Sequence, residues 1–150
     1  MVRYRIEKAN ANHIQPIVDN LRGVDHRFIY KYLNDSVEGT LSDRINNSEF
    51  KYTLFIDDKP AMIAGVTRPI MITNTGYSWL LATPKVNTHR IAVARITKKY
   101  IKSFKENYAK IVALVDPDDK VSVRWHEWIG FKLKLVNRNG LEYFEARLED

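Results

Sequence analysis

One stretch limits the folds open to this chain more than any other, the run from Tyr77 to Tyr108. It begins with Tyr77-Ser78-Trp79-Leu80-Leu81-Ala82, an apolar segment that reads as a strand. A polar loop, Thr83-Pro84-Lys85-Val86-Asn87-Thr88, leads into the longest helical pattern of the sequence, from about His89 to Tyr108. Val93, Ile96, Tyr100, Phe104 and Tyr108 recur at spacings of three and four, which makes one face apolar. Asn87 and Thr88 suit the N-cap, with His89 and Arg90 in the first turn. A strand, a short loop and a helix N-terminus form a natural anion site, because first-turn N–H groups lack helical partners and carry about half a positive charge. The same residues equally suit a plain strand-to-helix connection with a basic face in solvent.

The remaining chain alternates between two periods. Val2, Tyr4 and Ile6 alternate with charged residues as a short strand. Asn10 or Asn12 caps a helix carrying Ile14, Ile17, Val18 and Leu21, and Gly23 ends it. The next helical segment breaks near Asn34 to Gly39. Tyr52 to Ile56 and Ala61 to Val66 read as strands around a four-residue turn, Asp57-Asp58-Lys59-Pro60, and Ile70-Met71-Ile72 extends the apolar run. Ile111 to Val115 is continuously apolar, which predicts a central strand buried on both faces. Asp118 or Asp119 caps a helix to about Ile129, with Val121, Trp125, Trp128 and Ile129 inward and Gly130 as its stop. Asn139-Gly140 marks a tight hairpin. The order is that of a mixed α/β single domain over residues 1–150.

Composition excludes several classes. Without cysteine there are no disulfides, thiolate metal sites or cysteine nucleophiles, and the four histidines show no ligand spacing, so no metal is expected. No apolar run is long enough to cross a bilayer, and Met1-Val2-Arg3-Tyr4-Arg5 lacks a signal-peptide core, so no membrane role is expected. A net charge of +6 favours anionic partners. Arg95, Lys98, Lys99, Lys102 and Lys105 on the outer side of the long helix would suit nucleic acid or an acidic partner, or simply solvent.

The element order resembles that of the GNAT superfamily of acyl-CoA-dependent N-acyltransferases. The likeness is most specific at Asp119-Lys120-Val121-Ser122-Val123-Arg124-Trp125-His126-Glu127-Trp128-Ile129-Gly130-Phe131, which looks like the family's Asn-x-x-Ala-x-x-x-Tyr-x-x-x-Gly-Phe helix. Asp119 stands for Asn, Ser122 for Ala and His126 for Tyr, while Gly130-Phe131 is intact. The family's glycine-rich pyrophosphate loop reads here Asn87-Thr88-His89-Arg90-Ile91-Ala92: Ala92 fits, and Thr88 and Arg90 replace glycines. These narrow the cradle yet add a hydroxyl and a bidentate phosphate partner. From Trp79 to Phe131 the chain is also similar to a phage branch of small GNAT-like proteins of podophages, including internal virion or core proteins, which lacks that glycine-rich loop too.

The resemblance implies a GNAT-like fold with a mixed sheet of about seven strands and about four helices. The strands at Leu80 and Val112 would run parallel and part at their C-terminal ends, with acetyl-CoA between them. Leu81, Ala82, Thr83, Asn87, Thr88, His89, Arg90, Ile91, Ala92 and Asp119 would bind the cosubstrate, a backbone N–H of the Leu81–Thr83 region polarising the thioester carbonyl. His126 would be the general acid, and Asp116, Asp25 or His26 the base. The acceptor would be an amine on a small molecule or protein. The alternative implied by the phage branch is a non-catalytic internal virion component, or a module binding a host protein or nucleic acid. Either reading places the protein in the cytoplasm (the host's, for a phage) or in a virion.

Overall fold

The two periods in the sequence become two kinds of layer. In a computed structural model describing residues 1–68 and 73–149, the strands are β1 (Tyr4–Lys8), β2 (Ser48–Ile56), β3 (Lys59–Thr67), β4 (Thr75–Ala82), β5 (Lys110–Val115), β6 (Lys132–Arg138) and β7 (Leu141–Glu149). The helices are α1 (Ile14–Val18), α2 (Gly23–Phe28), α3 (Val37–Asn47), α4 (Lys85–Thr88), α5 (Arg90–Lys105) and α6 (Lys120–Ile129). The seven strands form one mixed sheet in the order β1-β2-β3-β4-β5-β7-β6. The apolar run expected at Ile70-Met71-Ile72 lies outside the described residues. Two compact units divide the chain, Met1–Thr67 with Trp79–Val93, and Arg68–Ser78 with Ala94–Asp150; β4 and α5 each begin in one and end in the other.

In the first unit β1, β2 and β3 run antiparallel. The β2–β3 connection is tighter than the expected four residues. Asp57 and Asp58, at φ 49° and 66°, make a two-residue turn, and Lys59 and Pro60 already pair with Ile56 and Phe55. Pro60 is tolerated because the register slips between Leu54 and Phe55. The helical region is more broken than its sequence suggests. Asn10 caps a short turn before α1, and Gly23 opens α2 instead of ending α1. Asn34, left-handed at φ 50°, stops the helical segment inside the expected break, and Ser36 restarts it by accepting the Gly39 N–H at 2.9 Å. With the short α4, this gives six α-helices among the described residues. Ile17, Ile29, Leu41 and Ile63 are fully buried in one cluster with Leu81, and each such side chain contributes about 1.5–3 kcal/mol.

In the second unit β5 pairs β4 in parallel through Thr75–Lys110, Gly76–Ile111 and Tyr77–Val112, and pairs β7 antiparallel. Asn139 and Gly140, at φ 55° and 82°, close the β6–β7 hairpin as expected. β5 is not buried on both faces: Ile111, Ala113 and Val115 are buried, whereas Leu114 is 36% exposed. Elsewhere Leu54, Val93 and Phe131 are buried, and Phe28, Ile96, Trp125 and Phe144 only partly so. Trp128 was expected inward but is 51% exposed, with the Lys98 ammonium 4.2 Å from its ring centre.

Gly65 of β3 marks a tight approach. A Cβ there would lie 2.5 Å from the Phe50 carbonyl oxygen and 3.0 Å from the Trp79 ring, whose Nε1–H donates to Ser48 Oγ at 2.9 Å. Neither neighbour can yield cheaply, so Gly65→Ala is expected to destabilise the protein by about 1–3 kcal/mol in urea unfolding. An unchanged midpoint would contradict this packing.

Candidate active site

A strand turns the N–H and C=O of alternate residues to opposite edges. In β4 the Thr83 N–H, just past the strand end, donates to Ala61 O of β3 at 2.8 Å, so the odd-numbered residues face β3. The even-numbered residues face the other edge, where Asn74 O accepts the Ala109 N–H at 2.8 Å. On that edge Leu80 and Ala82 lie beyond the last rung of the β4–β5 ladder.

Ala82 is not open. Its N–H donates to Asp25 Oδ2 at 3.0 Å, and its carbonyl accepts the Arg22 N–H at 2.9 Å. Asp25 is buried at 7% exposure, and Arg22 grips its carboxylate with Nε at 2.9 Å and Nη2 at 3.0 Å. Such charge-assisted, forked bonds are about twice as strong as neutral ones. Leu81 is buried and points its backbone toward β3. Within the expected Leu81–Thr83 donor region, then, the Ala82 and Thr83 N–H groups are engaged, and Leu80 supplies the next N–H on the outer edge.

The loop after β4 differs from its expected form. Asn87 and Thr88 lie inside α4 and do not cap α5: Thr88 Oγ1 donates to Lys85 O at 2.9 Å, and Asn87 O accepts from Arg90 Nε at 3.1 Å. His89 leaves helical geometry at φ −127°, and its Nδ1 lies 3.2 Å from the Tyr4 hydroxyl. The α5 ladder starts where Val93 N–H meets His89 O at 3.0 Å, so the N–H groups of Arg90, Ile91 and Ala92 precede it. Arg90 and Ile91 are exposed. Thr83 Oγ1 is buried without a hydrogen-bond partner among the described residues. A hydroxyl without a partner among the described residues, first-turn N–H groups that precede the helical ladder and an exposed arginine suit a ligand carrying phosphate and amide groups.

The other expected site residues fall differently. His26 is exposed on α2. Asp116 is a turn former, its Oδ1 accepting the Asp118 N–H at 3.0 Å. Asp119 caps α6, accepting the Ser122 N–H at 3.2 Å. His126 Nδ1 lies 2.7 Å from the Ser122 carbonyl, which can only accept, so Nδ1 carries the proton and Nε2 the lone pair. Its ring stands edge-on to Trp125 and Phe131. Burial holds its pKa below the usual histidine value, opposed by the Ser122 carbonyl and Asp119. A neutral imidazole of this kind accepts a proton more readily than it donates one, unlike the expected general acid. Arg22 and Leu80 escaped the sequence reading. Arg22 carries a signal, three residues before Asp25, but Leu80 is marked only by the edge it faces.

Among the described residues no cluster of histidine, aspartate or glutamate can hold a metal ion, and no helix is long and apolar enough to cross a membrane. No protein-family model and no curated protein matches the sequence. Solved structures do match. A spermidine N-acetyltransferase chimera from Vibrio cholerae superposes with a TM-score of 0.72 at 12% identity, covering 97% of this chain and 95% of that one. A GNAT-family acetyltransferase from Bacillus anthracis gives 0.71 at 12% identity over 98% and 95%. The Salmonella typhimurium yncA protein with its cofactor acetyl-CoA gives 0.73 at 11% identity over 98% and 94%. The chain has the GNAT acyltransferase fold.

A second histidine, like His126, has its pKa lowered by burial. His13 is 7% exposed, with Nδ1 2.7 Å from Thr53 Oγ1, and burial and then Arg5 lower its pKa. In the unfolded chain both imidazoles titrate near 6.5. Below that value the unfolded state binds more protons than the folded one, so stability is full above about pH 6.5 and falls as the pH drops through the lowered folded values. Melting temperatures from pH 8 to 5 should decline on the acid side, and less steeply in His13→Gln. A profile identical in the two proteins would contradict this.

Proposed function

We propose that the protein is an N-acetyltransferase that moves an acetyl group from acetyl-CoA to an amine. The observation that carries this reading is the outer edge of β4 at Leu80, followed after the short α4 by the cationic N-terminus of α5, in a GNAT fold. In this proposal Arg90, the first-turn N–H groups and Thr83 take the pyrophosphate end of the cosubstrate, and the Leu80 N–H polarises the thioester carbonyl. A neutral amine attacks the carbonyl carbon, the new C–N bond forms, the C–S bond breaks, and the proton lost from nitrogen ends on the departing thiolate. His126, neutral with its Nε2 lone pair available, is the proposed carrier of that proton. Asp116 and Asp119 hold turns and a cap, and His26 is retained only as a solvent-side alternative base.

The neighbours' acceptors include spermidine, and one neighbour is named a ribosomal-protein-S5-alanine acetyltransferase. A chain of net charge +6 repels a polycation, which favours an amine on an acidic or polar carrier. A phage setting rests on the scattered likeness between Trp79 and Phe131 alone.

Calorimetric titration with acetyl-CoA should give saturable binding that Arg90→Glu weakens at least about tenfold, because a cation facing phosphate becomes an anion. Absence of binding at millimolar ligand would overturn the reading. With labelled acetyl-CoA and a screen of amines and protein acceptors, His126→Phe should lower kcat by about 10²–10⁴ with little change in cosubstrate affinity. A fall in stability with kcat unchanged would leave His126 a packing residue.

A further inference from the structure

The contact at Ala82 has a consequence for ligand entry. An extended chain that adds to a strand edge uses the N–H and C=O of alternate residues on that edge. Beyond the β5 ladder those residues are Leu80 and Ala82. Both backbone groups of Ala82 are already taken, the carbonyl by the Arg22 N–H and the N–H by Asp25. Arg22 has φ −60° and ψ 146°, an extended backbone, and Gly23 begins α2 directly after it. At one residue, then, the α1–α2 connection occupies the place of a neighbouring strand.

We propose that Arg22 and Asp25 form a latch on Ala82 that competes with the amide-bearing arm of acyl-CoA for the edge of β4. This rests on the acetyl-CoA reading and adds to it a regulated step. With the latch closed, the arm pairs at Leu80 alone. Full pairing requires Asp25 to release the Ala82 N–H and Arg22 to withdraw from the Ala82 carbonyl. The forked ion pair moves as one body, because separating Asp25 from Arg22 would break two charge-assisted hydrogen bonds of a buried carboxylate. The latch therefore lowers affinity for the cosubstrate and couples its binding to a movement of α2.

Two measurements separate this proposal from the reading beneath it. In the wild-type protein, the Ala82 amide and the Arg22 Nε resonances are followed by NMR as acetyl-CoA is added. Both should shift, and their exchange with solvent should change, in step with binding. Binding that leaves both unchanged overturns the latch while keeping the acetyl-CoA reading. In Asp25→Asn the side chain keeps an acceptor for Ala82 but loses its charge, so acetyl-CoA should bind about three- to thirtyfold more tightly than to wild type. Asp25→Ala, which removes the side-chain acceptor of the Ala82 N–H, should act in the same direction, and serves where Asp25→Asn melts early. Equal or weaker binding by variants that melt like wild type overturns the latch. Failure of all three proteins to bind overturns both proposals.

Discussion

A backbone N–H or C=O removed from water must find a partner, and the interior of this fold is arranged around that requirement in β4. Its inner edge is satisfied by β3, through the bond from Thr83 N–H to Ala61. Its outer edge is satisfied at the start by β5 and at the end by side chain and backbone of the α1–α2 connection. The strand is thus completed by three unlike partners. The last of them is one carboxylate and one backbone N–H rather than a strand. A contact at the strand end has no rung on its far side, whereas a ladder rung is held between its neighbours. The chemistry proposed for the protein depends on that difference.

Much of the architecture was legible because it follows from period alone. The strand at β1, the Asn139-Gly140 turn, the long helical pattern of α5 and the Gly130 stop after α6 all reflect local rules, and the structure keeps them. The errors came where a local rule met another. Pro60 looked like part of a turn, but a slipped register lets it pair. Gly23 looked like a helix stop, but Arg22 in extended geometry made it a helix start. The apolar run of β5 suggested burial on both faces, and Leu114 is exposed. The site was less legible than the fold. Asp25 was visible as an acid near the right place, but its carboxylate is committed to Arg22 and Ala82, a fact set by a contact spanning 57 residues. Leu80 carries no signal in its side chain at all, since its proposed role belongs to its backbone.

At 11–12% identity, the shared fold is a matter of pattern more than of residues. Where glycines are usual in the loop before α5, this chain places Thr88 and Arg90. It spends the hydroxyl of Thr88 on a carbonyl of α4 and one guanidinium nitrogen of Arg90 on Asn87. The loop is thereby held by its own side chains. A glycine loop is free to adapt; this one has a shape beforehand, so the cosubstrate proposed for it would meet a loop already ordered.

The three tryptophans give the molecule an optical asymmetry. Trp79 belongs to the first unit and is tethered through its indole N–H to Ser48, whereas Trp125 and Trp128 belong to the second, one edge-on to His126 and the other half in solvent beneath Lys98. Emission from Trp79 is therefore set by the strand that bears Leu80 and Ala82, and emission from Trp128 by solvent and a nearby ammonium. A soluble quencher reaches the second long before the first, so the two units carry separate intrinsic fluorescent reporters without any added label.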